Sequence, residues 1–161
     1  MIKTLSLHQN TYSIFLKDGF FDSTDPSYNT KISTYLDLIQ IYGFKASQLA
    51  MDIKVLDNKT DQSYFADIIV YDRILRPQII LKVKTPQQCN EYLNQKFTTD
   101  LFNLAKFSVN SIKYLVLVYP DVSGYVDQKD IVVIDFSKYK SFLDWEKSGF
   151  KHMDFIPMFN G

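Results

Sequence analysis

The sequence predicts a mixed α/β domain built on one central sheet, and three observations point there. Helical periodicity is confined to separate stretches, beginning near Tyr28, near Pro86 and near Tyr139. Between them lie short runs rich in Ile, Val, Leu and Tyr, bounded by turn residues, with the length and composition of strands. One of those runs, "KYLVLVYP", is apolar almost without interruption, as expected of a strand covered on both faces.

Taken in order, residues 1–27 are short alternating pieces broken by "KDGF" and "STDPS", which predicts a small hairpin or strap. From Tyr28 the period changes: Ile32, Tyr35, Leu36, Ile39 and Tyr42 share one helical face, and Gly43 supplies the stop. "SQLAMDIKVL" reads as a strand running to the turn signal "DNKTDQ". "YFADIIVYD" is a second strand, "RILRP" a turn, and "QIILKVKT" a third strand. A helical region is expected from Pro86 to about Asn110, broken near Thr98–Thr99, with Leu101, Leu104, Ala105 and Val109 on its apolar face. "KYLVLVYP" and "DIVVIDF" are further strands, and "YKSFLDWEKSGF" a closing helix. The expected division is a strap over 1–27, a core over 28–120 and an extension over 121–161, all in one domain.

Composition narrows the function classes. A chain of 161 residues with 46% apolar and 22% charged residues can fold around a core of its own. Its net charge is zero, so attraction to nucleic acid or anionic membrane must come from a local patch. Cys89 is the only cysteine, which excludes an intrachain disulfide and favours a reducing compartment. His8 and His152 stand at opposite ends without zinc-ligand spacing. No window reaches membrane-spanning length and the N-terminus lacks a signal-peptide core, so a soluble cytoplasmic protein without membrane contact is expected. Gly-rich phosphate loops are absent.

Two places in the strands break the apolar pattern. Asp67 sits inside "ADIIVYD", where a carboxylate needs a metal, a cation or several donors. Lys82 and Lys84 share one face of "QIILKVKT" with Ile80, while Ile79, Leu81 and Val83 share the other. Two cations side by side on one strand face must be hydrated or paired. The 14 positions between Asp67 and Lys82 suit a hairpin that sets the two strands side by side, and Asp67 is expected to pair with Lys82 or Lys84.

The order helix–strand–strand–strand–helix–strand, with Asp early in the second strand and a charged-x-Lys on the third, resembles the PD-(D/E)XK nuclease fold. "FADIIVYDRILRPQIILKVKTP" is similar to the N-terminal nuclease domain of type I restriction enzyme R subunits and its small stand-alone relatives. The likeness covers most of residues 28–120 and is specific between Asp67 and Pro86. It implies a restriction-endonuclease-like core whose chemistry is Mg²⁺-dependent hydrolysis of phosphodiesters, with two carboxylates holding the metal and a lysine positioning the attacking water. Asp67 matches the first metal ligand and Lys84 the motif lysine. Lys82 stands where the family has the second ligand, a glutamate, and an ammonium there repels Mg²⁺. The leading expectation is a degenerate nuclease domain that binds nucleic acid or protein. The alternatives are an active DNA endonuclease using Asp67, Glu91 as a displaced ligand and Lys84, or an assembly protein on the same scaffold.

The same resemblance aligns Asn103 and Phe107 with a glutamine and an aromatic on a later helix, offers Asp37 as the acidic residue of the first helix, and places Asp52 as site support. Arg73 and Arg76, with Lys45, Lys54 and Lys59, fall near expected loop ends, where they either contact phosphates or form a solvated surface. The apolar "DFIPMF" tail either docks on a partner or a twin subunit, or folds back onto its own core.

Overall fold

The computed structural model describes residues 2–7, 10–15, 28–56, 63–84, 91–107, 111–120 and 129–157. Strands β1 (Ile2–Leu7) and β2 (Asn10–Phe15) pair antiparallel in a sheet of their own, Ile2 opposite Phe15 and Leu7 opposite Asn10. Helix α1 (Tyr28–Gln40) is followed by a short 3₁₀ turn and then by β3 (Leu49–Leu56), β4 (Ser63–Tyr71) and β5 (Pro77–Val83). Helix α2 (Glu91–Phe107) leads to β6 (Tyr114–Pro120), β7 (Lys129–Asp135) and the short helix α3 (Phe142–Lys147). The five later strands form one sheet in the order β3-β4-β5-β6-β7, antiparallel throughout except for the parallel β5–β6 pair. That parallel pair needs a crossover, and α2 supplies it.

The chain is therefore an α/β domain with a five-stranded mixed sheet between helices. Period-two alternation sorts the side chains. Ile79, Leu81 and Val83 of β5 and Val116 and Val118 of β6 pack with Ile32, Tyr35 and Leu38 of α1. Ile80 of β5 and Leu115 and Leu117 of β6 pack on the other face with Leu101, Phe102 and Leu104 of α2 and Trp145 of α3. Covering on both faces is why β6 carries no polar residue in its middle.

Helix ends follow their residues. Gly43 takes φ +76° after α1, and Gly149 takes +80° after α3, a conformation open to glycine for want of a Cβ. Ser141 caps α3 by accepting from the Asp144 N–H. Helix α2 runs unbroken through Thr98–Thr99, contrary to the expected interruption. Thr98 is buried there, and packing on the sheet outweighs the weak helix propensity of two threonines. The C-terminal segment folds back: Met153 bridges Val133 in an antiparallel pair, and Ile156 is only 3% exposed in the α1-side core. Within the apolar tail Ile156 is thus core, while Phe155 stays 60% exposed; residues 158–161 lie outside the described residues.

Candidate functional site

Asp67 marks a break in the sheet's alternation. On β4, Tyr64 and Ala66 pack with the α2-side cluster that also holds Ile69 and Tyr71, while Ile68 and Val70 belong to the α1 side. On β3, Leu49 and Met51 pack on the α1 side but Ile53 on the α2 side. Both strands therefore change phase at one rung. Met51 faces Ile68 and Ile53 faces Ala66, so Asp52 and Asp67 stand opposite each other between them. Asp52 has φ +54°, a left-handed conformation that Asp tolerates better than most residues.

The phase change turns both carboxylates toward α1. Lys31, in the first turn of α1, places its ammonium 2.8 Å from Asp52 Oδ1 and 3.1 Å from Asp67 Oδ1. Asp67 Oδ2 accepts from the backbone N–H of Val83 at 2.6 Å. The expected pairing of Asp67 with Lys82 or Lys84 is corrected accordingly: its ion pair is with Lys31, because the slip at Asp67 points the carboxylate to the face opposite the two lysines. Burial opposes the charge on Lys31, but the two carboxylates outweigh it and hold the ammonium well above its ordinary range. Burial pushes the Asp67 carboxyl up, against the pull of Lys31 and the Val83 N–H.

Lys82 and Lys84 extend on the α2 side. The Lys82 ammonium lies 4.6 Å from the centroid of Phe97 in α2, and that of Lys84 lies 5.5 Å from the same ring. Lys84 is fully buried; it donates to the Tyr119 hydroxyl at 3.1 Å and sits 4.2 Å from that ring's centroid. Burial lowers the pKa of Lys82, although Asp67 and Asp100 pull it back up. Five elements thus meet here: α1 brings Lys31, β3 and β4 the carboxylates, β5 two lysines, and α2 an aromatic platform.

Other candidates lie elsewhere. Asp37 is six residues, about 9 Å, along α1 from Lys31, and pairs with Lys129, which also donates to Ser33. Arg73 and Arg76 sit at the tip of the β4–β5 hairpin, where Asp72 accepts from the N–H groups of Ile74 and Arg76 and from Arg76 Nε. Those donors hold the Asp72 carboxyl below the usual carboxylate range. At about 3.3 Å per residue the tip is roughly 17 Å from Asp67. Asn103 is half-buried, six residues and about 240° around α2 from Phe97. Glu91 is the first residue of α2; its side chain, like that of Phe107, and the residues Lys59 and Cys89 lie outside the described residues.

Lys31 and Tyr119 are site residues that sequence reasoning passed over. Lys31 stands four before Tyr35 and seven before Leu38, a cation in the apolar stripe of α1. Tyr119 continues the Leu115, Leu117 alternation on the α2 side.

The residues do not fit Mg²⁺. An ammonium already lies between the two carboxylates, and the glutamate position of the resemblance is Lys82. Among the described residues no group of three or more His, Cys, Asp or Glu side chains converges to hold a metal ion. No helix among them is long and apolar enough to cross a membrane. A scan against protein-family models gives no match to the chain, and a search of curated proteins gives none either.

Proposed function

We propose that the chain is a restriction-endonuclease-like domain that binds nucleic acid without cutting it. The observation that supports this most directly is the Lys31 ammonium between Asp52 and Asp67, in the place the resemblance gives to Mg²⁺. At about 4 Å and an effective dielectric near 20, an ammonium beside a divalent cation is unfavourable by roughly 8 kcal/mol. The helix and strand order around a mixed sheet supports the scaffold. Lys82, partly buried beside Asp67 with its ammonium over Phe97, is the cation of this cluster offered to a phosphate.

Fluorescence anisotropy with labelled duplex and single-stranded DNA, combined with plasmid cleavage in Mg²⁺ and Mn²⁺, tests this. Binding should weaken steeply with salt, Lys82→Glu should weaken it further, and the plasmid should stay supercoiled. Wild-type cleavage that disappears in Asp67→Ala would overturn the proposal. So would the lack of any binding at low salt.

A further inference from the structure

A cavity of about 320 Å³ opens on the α2 side of the sheet, between α2, the end of β6 and α3. Its volume falls at the small end of ligand sites, which run from about 300 to 1,000 Å³. Tyr119, Phe142, Trp145 and Phe150 give it aromatic walls, and Gln95 and Glu146 stand exposed at its rim.

Phe150 is held there against its own backbone preference. It follows Gly149 with φ +59°, a left-handed conformation that a bulky side chain enters only against steric resistance. Its N–H is tied to the Trp145 carbonyl, and its ring meets Trp145 edge-on with centroids 5.0 Å apart. Phe150 remains 44% exposed. Strain that presents a half-exposed aromatic at the mouth of a cavity is the kind concentrated at ligand sites. Trp145 is fixed in turn by donating its indole N–H to the Lys151 carbonyl.

We infer that this cavity binds a nucleobase carrying an exocyclic amine, adenine being the one probed, as a mononucleotide or as a base splayed from a single strand. Aromatic walls stack a planar base of any identity, so they give affinity without choice. Choice comes from the rim. A glutamine side chain can donate to one adenine edge atom and accept from the next, and a carboxylate accepts from an exocyclic amine. Uracil and thymine present a carbonyl where adenine has that amine, so Glu146 would face acceptor against acceptor. The cavity shares Tyr119 with the cluster at Lys84 but not the Asp67 carboxylate or its Lys31 partner; binding of a splayed base rests on the function proposed above, whereas binding of a mononucleotide does not.

Trp145 is the chain's only tryptophan, which makes its emission a direct reporter. The full chain is titrated with AMP, adenosine, UMP, oligo(dA) and oligo(dT), exciting at the red edge of the indole band. Quenching by AMP and adenosine at tenfold or more lower concentration than by UMP supports the inference. So does quenching by oligo(dA) over oligo(dT); whichever adenine source acts at the lower concentration identifies the natural form. Phe150→Gly removes the ring while relieving the left-handed strain, so the fold should persist by circular dichroism while affinity falls about tenfold or more. Glu146→Gln should narrow the preference for AMP over UMP. Unchanged emission with every ligand at millimolar concentration would overturn the inference, as would equal quenching by UMP or quenching that survives Phe150→Gly.

Discussion

The Asp67 carboxylate accepts a hydrogen bond from the backbone N–H of Val83, the residue that separates Lys82 from Lys84. The paired rungs of β4 and β5 run from Tyr71 opposite Pro77, through a register shift, to Ile68 opposite Leu81. Beyond them, a side chain from β4 takes a backbone donor on β5. Asp67 therefore fastens two strands together as well as pairing with Lys31.

Asp67→Asn and Asp67→Ala separate its two roles. The amide oxygen of asparagine can still accept from Val83, so only the charge pairing with Lys31 is lost. Alanine loses both and leaves a buried N–H unsatisfied, which adds about 1–3 kcal/mol. Urea unfolding should rank wild type above Asp67→Asn above Asp67→Ala.

Lys31→Met keeps the apolar stem and deletes the ammonium. Removing one partner from a buried pair costs about 3–5 kcal/mol, and the lower end is expected because Asp52 is 51% exposed and Asp67 keeps its Val83 bond. The pH dependence has a definite sign. A lysine held above its ordinary value of 10.5 gives stability that is complete below that pH and is lost as pH rises through the raised value. The stability difference between wild type and Lys31→Met, followed by urea melts from pH 8 upward, should stay constant to about 10.5 and then narrow.

Lys82 behaves in the opposite way. Burial lowers its pKa, so it should lose its proton at lower pH than a solvent-exposed lysine ordinarily does. Competitive labelling with an amine-specific reagent, read by peptide mass spectrometry, should show Lys82 gaining reactivity at lower pH than a lysine in an unstructured reference peptide. Labelling of Lys82 only at the pH of that reference lysine would contradict the burial described for it.

Ile156→Ala tests whether the tail belongs to the core. A fully buried isoleucine truncated to alanine costs about 2–5 kcal/mol, whereas an exposed docking residue would cost almost nothing. A thermal melt decides between them.

The elements of the central sheet were legible because each is apolar at its own period. The runs in β5 and β6 alternate between two covered faces, and residues such as Ile79 and Ile80 carry that pattern on their own. The site was harder to read. Asp67 was visible as a carboxylate in a buried strand, and Lys82 and Lys84 as cations on one face. Their partners were not, because strict alternation puts Asp67 on the side of the lysines. The slip at Asp52 and Asp67 reverses that, and it depends on how two strands match each other. Lys31 was hidden for a related reason: one lysine at the start of an amphipathic helix looks like any other until the opposite carboxylates are known.

The paired phase change also constrains how the sequence can vary. Deleting one residue at Asp52 would shift the outer half of β3 by one step and turn Ile53 to the other face, while β4 kept its own phase. Only a matching deletion at Asp67 would bring the two strands back into step. Length changes at this rung should therefore be inherited two at a time, one in each strand.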